Sequence, residues 1–249
     1  MHGPVLRPVL RPVTSFARFS PRGIAGLAAW YRIGTGTTVA AGKVTAQADL
    51  SGNGHTLSNA GSLTYTAADA KAGGAPSVSG GAATGTGLTV GHAVPSVGAA
   101  RTILAVGYSI DAVGGNLVDF GGGANSISCL DLYAGGNNYV AADNSNNGHI
   151  GATNRVVANE LFALVWTITP GALPVFRKGR TKYAVTSTPG NPSAEAGSSL
   201  ELMSRHNRGL QGWTGGLCEV AIFGRALPDA DVDSLLLNYV HQRYPGITL

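Results

Sequence analysis

Short apolar segments separated by turn-forming residues recur along almost the whole chain, and this pattern restricts the fold more than any other feature. Segments such as RTILAVGYSI (101–110), ELFALVWTI (160–168) and GLCEVAIFG (216–224) are rich in β-branched and aromatic residues and are bounded by Gly, Asn, Ser and Pro. Many short strands with frequent turn signals indicate a β-sandwich or jelly roll. At 249 residues and 44% hydrophobic composition, the chain is long enough for one large core.

In one segment, residues 161–168, both the odd-numbered and the even-numbered positions are largely apolar. Leu161, Ala163 and Val165 share one face of the predicted strand, while alternate residues such as Phe162 and Trp166 share the other. Because both faces are apolar, we expect this strand to lie centrally in the sandwich. Downstream, the RKGR sequence (177–180) predicts a hairpin tip in which the glycine takes a positive φ.

A different period appears near the C-terminus, in LPDADVDSLLLNYVHQRYPG (227–246). Its apolar residues follow helical spacing: Val232, Leu235, Leu236, Tyr239 and Val240. Acidic residues come first and basic residues last, as the helix dipole favours, and Pro228 suits the first helical position. The pattern predicts one amphipathic helix packed on the sandwich.

The N-terminal segment is basic and regularly interrupted by proline (MHGPVLRPVLRPVTSFARFSPRG). Residues 1–22 contain four arginines and no acid, and the remaining residues carry 13 bases and 13 acids, so the net charge of +4 resides in this segment. Proline spacing disfavours a helix. We predict an extended arm over residues 1–23 and a single domain over 24–249. A disordered tail is the alternative interpretation. The expected partner-binding residues of the arm are Val5, Leu6, Arg7, Val9, Leu10, Arg11, Arg18 and Arg22.

The sequence contains no recognisable catalytic, cofactor or metal motif. Cys129 and Cys218 are 89 residues apart, so they predict buried thiols rather than a disulfide framework or a zinc site. The six histidines are scattered, and no strand carries alternating carboxylates of the kind that sandwich glycosidases use. We therefore expect a non-enzymatic protein without cofactor or metal. A glycan-cleaving enzyme whose site is assembled from distant residues is the alternative.

No secretory signal and no apolar run of about 18 residues is present, which predicts no membrane span.

Two acidic residues predict structural roles. In DLSGNGH (49–55), Asp49 and Ser51 are expected to accept backbone N–H groups in a tight turn, while Gly52 and Gly54 supply positive φ. A ligand or calcium site is the alternative at this turn. Glu219 is expected to anchor a loop by accepting backbone N–H groups.

Several stretches together resemble a known family: GLAAWYR, ADLSGNGHTL, GAPSVSGGAATGTGLTV and GWTGGLCEVAIFGRALPDADVDSLLLNYVHQRY. They are similar to the concanavalin A-like (laminin G-like) jelly-roll domains, which occur in structural proteins of tailed bacteriophages and in carbohydrate-binding modules. The resemblance covers roughly residues 24 to 244. It implies an all-β, concanavalin A-like jelly-roll sandwich, here with one C-terminal amphipathic helix and an extended N-terminal arm.

Resemblance and arm together predict a virion structural protein of a tailed phage, assembled in the host cytoplasm. A capsid decoration or head-fibre protein is favoured over a tail or baseplate component. The arm would reach the major capsid protein or a neck or tail protein. By analogy, a homo-oligomer, such as a trimer, is expected. Nucleic-acid binding is not expected, because the body has no basic excess. Membrane association is not expected either, because no apolar run is long enough to span a bilayer.

The alternative is a carbohydrate-binding module or adhesin that recognises surface glycans. Two polar stretches, YAGGNNYVAADNSNNGHIGATN (133–154) and SRHNRGLQGW (204–213), are interpreted as loops whose amides and aromatic rings suit sugars. Ordinary polar loops and subunit contacts are the competing interpretations. The candidate glycan-binding residues are Tyr133, Asn137, Asn138, Tyr139, Asn144 and Trp213.

Overall fold

The computed structural model describes residues 19–59, 61–80, 87–92, 94, 100–110, 115–120, 127–133, 139–144, 148–152, 156–169, 172, 174–185, 199–204 and 212–249, with only the backbone described between 127 and 152. Within these ranges the chain forms seventeen strands. Their bounds are β1 Leu27–Arg32, β2 Thr37–Ala40, β3 Lys43–Gln47, β4 Leu57–Asn59, β5 Thr64–Thr66, β6 Ser77–Gly80, β7 Leu88–Val90, β8 Arg101–Ser109, β9 Gly115–Phe120, β10 Ile127–Tyr133, β11 Tyr139–Asn144, β12 Gly148–Ala152, β13 Leu161–Ile168, β14 Val175–Lys178, β15 Thr181–Tyr183, β16 Leu200–Leu202 and β17 Gly215–Phe223.

The strands form two antiparallel sheets joined along one side. Sheet I has the order β15-β14-β13-β8-β17-β1. Sheet II has the order β12-β11-β10-β9-β16-β7-β4-β3-β2. Strands β5 and β6 connect β3 of sheet II to β17 of sheet I. The predicted all-β jelly-roll-like sandwich with one C-terminal helix is confirmed.

Strand β13 contributes to two cores at once. Phe162, Leu164 and Trp166 lie in the cluster between the two sheets, whereas Ala163 and Val165 lie in the cluster between sheet I and the C-terminal helix. The strand pairs with β8 on one side and β14 on the other, so its central position is confirmed. Its two apolar faces are explained by this three-layer arrangement.

The C-terminal helix begins at Asp229, continues through a π-helical turn at Leu236–Val240 and ends at Arg243. Pro228 has an extended ψ of 157° and acts as the N-cap, one residue earlier than predicted. The five apolar residues predicted to face the sandwich are all buried. Two polar residues of the helix also contact sheet I: Asp229 and Asp233 both accept hydrogen bonds from Arg177 of β14. These bonds tie the first turns of the helix to the sheet.

The contacts of the N-terminal segment with the sandwich begin before the boundary predicted at residue 24. Phe19 packs against the helix-side cluster, and Pro21 is buried at the start of a 3₁₀ turn over Pro21–Gly23. Arg22 donates from Nε to the carbonyl oxygen of Leu50 at 2.6 Å. Arg22 is therefore bonded to the sandwich, while the other predicted arm residues, 5–11 and 18, lie outside the described residues.

Two turn predictions are confirmed. The β14–β15 hairpin turns at Gly179, whose φ is +55° and whose missing Cβ leaves room for the C-terminal backbone at Leu249. In the DLSGNGH turn, Asp49 accepts the backbone N–H groups of Ser51 and His55. The glycines at 52 and 54 both have positive φ.

The Asn-rich stretch 133–154 was interpreted as a loop, and this interpretation is wrong. Its backbone forms two hydrogen-bonded strands, β11 and β12, which extend sheet II beyond β10. Backbone pairing of β11 with β10 and with β12 forms these strands despite the weak β propensity of Asn and Gly.

In the described part of the chain, no helix is long and apolar enough to cross a bilayer.

Candidate functional site

A buried carboxylate, Glu219, lies where sheet I meets the C-terminal helix. The residue belongs to β17, opposite Arg32 of β1, and its side chain is fully buried. Its oxygens accept three side-chain hydrogen bonds, from Trp30 Nε1 at 2.5 Å, Tyr239 Oη at 2.5 Å and Tyr244 Oη at 2.8 Å. The prediction that Glu219 accepts backbone N–H groups of a loop is wrong, because its donors are side chains of β1 and of the C-terminal helix region.

A neighbouring arginine compensates the negative charge of Glu219. Arg243 Nε lies 3.6 Å from Glu219 Oε2. Burial raises the pKa of Glu219, and the hydrogen bonds from Tyr239, Trp30 and Tyr244 together with the positive charge of Arg243 oppose that rise without cancelling it. Burial and the neighbouring carboxylate also raise the pKa of Tyr239 and of Tyr244, so both hydroxyls stay protonated as donors.

A cavity of about 480 Å³ opens above this cluster, formed where β1, the chain before the first 3₁₀ turn and the C-terminal helix converge. Its volume falls in the range of roughly 300–1,000 Å³ that small-molecule sites occupy. Seven of the described residues line it: Phe19, Ser20, Arg32, Asn238, Tyr239, Gln242 and Arg243. Among the described residues, the lining thus has two guanidinium groups, two amides, two hydroxyls and two aromatic rings, and no carboxylate.

Local structure explains why these side chains converge. Asn238 and Tyr239 lie in the π-helical turn, a rare geometry that often occurs at functional sites. Arg32 ends β1, with its guanidinium 5.4 Å from the ring centre of Trp30 and its Nε donating to Thr35 Oγ1 at 3.0 Å. Trp30 and Tyr239 also contact each other edge to face at 6.0 Å. The floor of the cavity is therefore rigid, while Asn238 and Gln242 at its rim are exposed.

This arrangement suits binding better than catalysis. Amides and guanidiniums offer directional hydrogen bonds to hydroxyl and carboxylate oxygens. Glu219, the carboxylate beneath the cavity, is covered by its three donors and fully buried, which leaves it without access to a bound molecule. The geometry supports recognition of a polar ligand that carries several oxygen atoms.

The glycan-binding residues expected from the sequence do not form this cavity. Trp213 is a correction: only 2% of it is exposed, its Nε1 donates to the carbonyl oxygen of Tyr108 at 3.0 Å, and its ring packs edge to face on Phe162. A ring buried in the core cannot stack on a sugar. Tyr133, Tyr139 and Asn144 belong to β10 and β11, where only the backbone is described, and Asn137 and Asn138 lie outside the described residues.

One pair of carboxylates is brought together that sequence spacing could not reveal. Asp119 of β9 lies directly opposite Glu201 of β16, although 82 positions separate them in the chain. Both residues are buried, and Glu201 accepts a hydrogen bond from Ser204 Oγ at 2.7 Å. Directly opposite side chains on paired strands contact each other. The two carboxylates are therefore cross-strand neighbours in sheet II, and neither lines the cavity.

Reactive groups elsewhere are few in the described ranges. Cys218 is buried as predicted, and burial raises the pKa of its thiol to about 12, which makes it inert. Cys129 lies in β10, where the side chain is not described. No group of three or more His, Cys, Asp and Glu side chains converges within the described residues.

Comparison with known proteins shows the fold. No family model and no curated sequence matches the chain. Domain 4 of the extracellular arabinanase AbnA from Geobacillus stearothermophilus, solved with arabinotriose, superposes with a TM-score of 0.61 at 14% identity, covering 84% of this chain and 98% of that domain. The Trypanosoma rangeli sialidase, solved with sialic acid, gives a TM-score of 0.63 at 10% identity over 96% of this chain.

A third similar structure is the binding domain of Paraclostridial Mosquitocidal Protein 1, with a TM-score of 0.58, 15% identity and 86% of this chain covered. The chain spans 36% of the sialidase and 52% of the mosquitocidal binding domain. At these identities the similarity establishes architecture alone. This chain shares the jelly-roll-like β-sandwich architecture with these structures.

Proposed function

We propose that the sandwich is a non-enzymatic glycan-binding module and that the cavity above Glu219 holds the sugar. The observation that carries this proposal is the lining itself, in which amide, guanidinium and hydroxyl groups surround a space of ligand size. Sugars present many hydroxyl groups at fixed angles, so they are recognised by donors and acceptors that are held in place.

The fixed floor supports the same conclusion. Tyr239 is held by Glu219 and packs against Trp30, so its ring contributes to the lining without freedom to rotate away. Pre-organised side chains lose little conformational entropy when a ligand binds. Arg32 and Arg243 bring two positive charges to the described lining, and Glu219 beneath it contributes one carboxylate, so the balance at the cavity is positive. This balance favours glycans that carry carboxylate, sulfate or phosphate groups over neutral ones.

Similar structures add support of a weaker kind. Almost the whole of the AbnA domain that was solved with arabinotriose, 98% of it, aligns with 84% of this chain. Function does not follow from fold alone, so this match only raises the plausibility of a glycan ligand. It favours the glycan-binding interpretation over capsid decoration.

The test is a glycan array followed by calorimetry on the best ligand, comparing the wild type with Gln242→Ala and Asn238→Ala. Both residues are exposed, so their removal leaves the core intact. Each substitution removes hydrogen bonds to the ligand, and we expect affinity to fall by about tenfold. Arg180→Ala, a surface arginine 3.6 Å from Asp233 and outside the lining, is the matched control and should bind normally. Equal affinity in all variants would exclude the cavity.

The same array tests the non-enzymatic part of the proposal. Glycans that bind should be recovered intact after long incubation, with no new reducing ends. Turnover that disappears in Asp119→Asn would instead assign hydrolysis to the Asp119–Glu201 pair.

We further propose that the N-terminal segment attaches this module to a larger particle, with a tailed-phage virion as the specific hypothesis and a capsid decoration or head-fibre position within it. The supporting observation is the charge distribution, because the whole net charge of +4 resides before residue 23. In addition, Phe19 both packs on the sandwich and lines the cavity, which fixes where the segment leaves the domain. The partner surface would be acidic.

Deletion of residues 1–17 tests this attachment. We expect the truncated protein to unfold at the same temperature and to bind glycans normally, but to lose co-sedimentation with particles that lack the protein. Unchanged co-sedimentation would contradict an attachment role and leave the glycan-binding proposal intact.

A further inference from the structure

Two histidines that are far apart in sequence meet at the surface. His55 Nδ1 and His92 Nε2 are 2.7 Å apart, and the ring centres are 4.9 Å apart with an interplanar angle of 53°. His55 ends the DLSGNGH turn, and His92 follows β7 after a single glycine. Neither residue lines the cavity above Glu219, so the pair belongs to a separate part of the surface.

The turn holds His55 firmly. Its backbone N–H donates to Asp49 Oδ2 at 3.1 Å, and its carbonyl oxygen accepts from Tyr31 Oη at 2.7 Å. Tyr31 itself is buried in the core. These bonds hold the backbone of His55, and the ring of His92 can adjust because His92 is exposed. The two imidazoles can therefore act as a pair of ligands.

We propose that His55 and His92 form a binding site for a divalent transition metal of the zinc type. Imidazole nitrogens suit Zn²⁺, Ni²⁺ and Cu²⁺, whereas Mg²⁺ and Ca²⁺ prefer oxygen. Tetrahedral Zn²⁺ with bonds of about 2.0–2.1 Å places two nitrogens about 3.3 Å apart. The two facing nitrogens, now 2.7 Å apart, must therefore separate slightly, and His92 has room to move because it is exposed.

Binding requires one tautomeric change. The proton now shared between the two facing nitrogens must move to the outer nitrogen of its own ring, so that both facing nitrogens present lone pairs. Within the described ranges no third His, Cys, Asp or Glu completes the group, so water fills the remaining coordination positions. The metal would link the turn over 49–55 to the segment after β7.

The test is calorimetric titration of the full-length chain with Zn²⁺, using His2→Gln as the background so that the N-terminal histidine does not contribute. We expect one site, no binding of Mg²⁺, and a loss of affinity of about tenfold or more in His92→Gln and in His55→Gln, since even outer-shell partners cost 10–100-fold. The control is His241→Gln, an exposed histidine on the C-terminal helix, which should bind like the background.

Imidazole nitrogen NMR provides the second readout, which does not depend on how the variants fold. On addition of Zn²⁺, His55 Nδ1 and His92 Nε2 should shift together, while the ring nitrogens of His241 stay in place. Absence of Zn²⁺ binding, unchanged affinity in His92→Gln, or equal shifts at all histidines would overturn the proposal.

Discussion

Two carboxylates bind the two N–H groups of one tryptophan, one from a local turn and the other from a cluster of residues distant in the sequence. Asp49 accepts the backbone N–H of Trp30 at 3.0 Å, and Glu219 accepts its indole N–H at 2.5 Å. Asp49 is half-buried in a turn whose other donors lie within six residues. Glu219 is fully buried, and its donors lie 20 to 189 residues away.

The environments shift the two acids in opposite directions. Burial alone would raise the pKa of Asp49, but hydrogen bonds from the backbone N–H groups of Ser51 and Trp30 outweigh it and lower the pKa. Burial dominates at Glu219 and raises its pKa. The comparison teaches that a local turn stabilises the charge of a carboxylate with backbone N–H dipoles. In the non-local cluster the buried carboxylate has a desolvation cost, and its hydrogen bonds connect two layers and form the floor of a cavity.

The largest expected effect is at Glu219. Replacement by alanine leaves three buried donors without their acceptor, so we expect Glu219→Ala to lower the free energy of unfolding by about 3–5 kcal/mol. Urea unfolding measures this loss. Glu160→Ala, which removes a partly exposed ion pair with Lys178 at 2.6 Å, is the matched control with an expected loss below about 1 kcal/mol. Equal losses in both variants would mean that the cluster does not hold the helix.

A smaller loss is expected at the turn. Asp49→Ala removes hydrogen bonds to backbone groups that water can partly replace, so we expect a cost of about 1–3 kcal/mol. The same urea experiment, with Asn53→Ala as a neighbour in the exposed part of the turn, measures it. A loss as large as that of Glu219→Ala would show that the local and the non-local carboxylates are equivalent, against the comparison.

The smallest expected effect is on the pH dependence of stability. The contributions of Asp49 and Glu219 change in opposite directions as the pH rises. The pKa of Asp49 is lowered on folding, so its contribution is complete above the ordinary aspartate pKa of about 3.9 and is lost as the pH falls through the lowered value. The pKa of Glu219 is raised, so its contribution is largest below the ordinary glutamate pKa of about 4.3 and declines as the pH rises toward the raised value.

Stability measured against pH for the wild type, Asp49→Asn and Glu219→Gln tests these signs. As the pH rises, the stability of the wild type should increase relative to that of Asp49→Asn. Above a pH of about 4.3, the stability of the wild type should decrease relative to that of Glu219→Gln. Slopes of the same sign would show that burial does not dominate at Glu219.

The same contrast explains what could be predicted from the sequence. The turn at Asp49 was predictable because its acceptor, donors and positive-φ glycines occur within one short motif. The helix stripe and the two apolar faces of β13 were predictable because each has a regular period. In each case, the determining residues are close in the sequence.

The site was not predictable in the same way. Trp213 carries the signature of a sugar platform, yet strand pairing places it in the core against Phe162. The donors of Glu219 and the meeting of His55 with His92 depend on which strands become neighbours, which no local period specifies. A π-helical turn that brings Asn238 to the cavity likewise has no recognised sequence signal.

The most direct test of the account is a titration of isotope-labelled protein with the best-binding glycan, followed by backbone amide shifts. Binding in the cavity above Glu219 should move the amides of residues 19–20, 32 and 238–243, and leave the amides of β11 and β12 unchanged. Shifts confined to β11 and β12, at Tyr139 or Asn144, would contradict the account and return the glycan site to the Asn-rich hairpin.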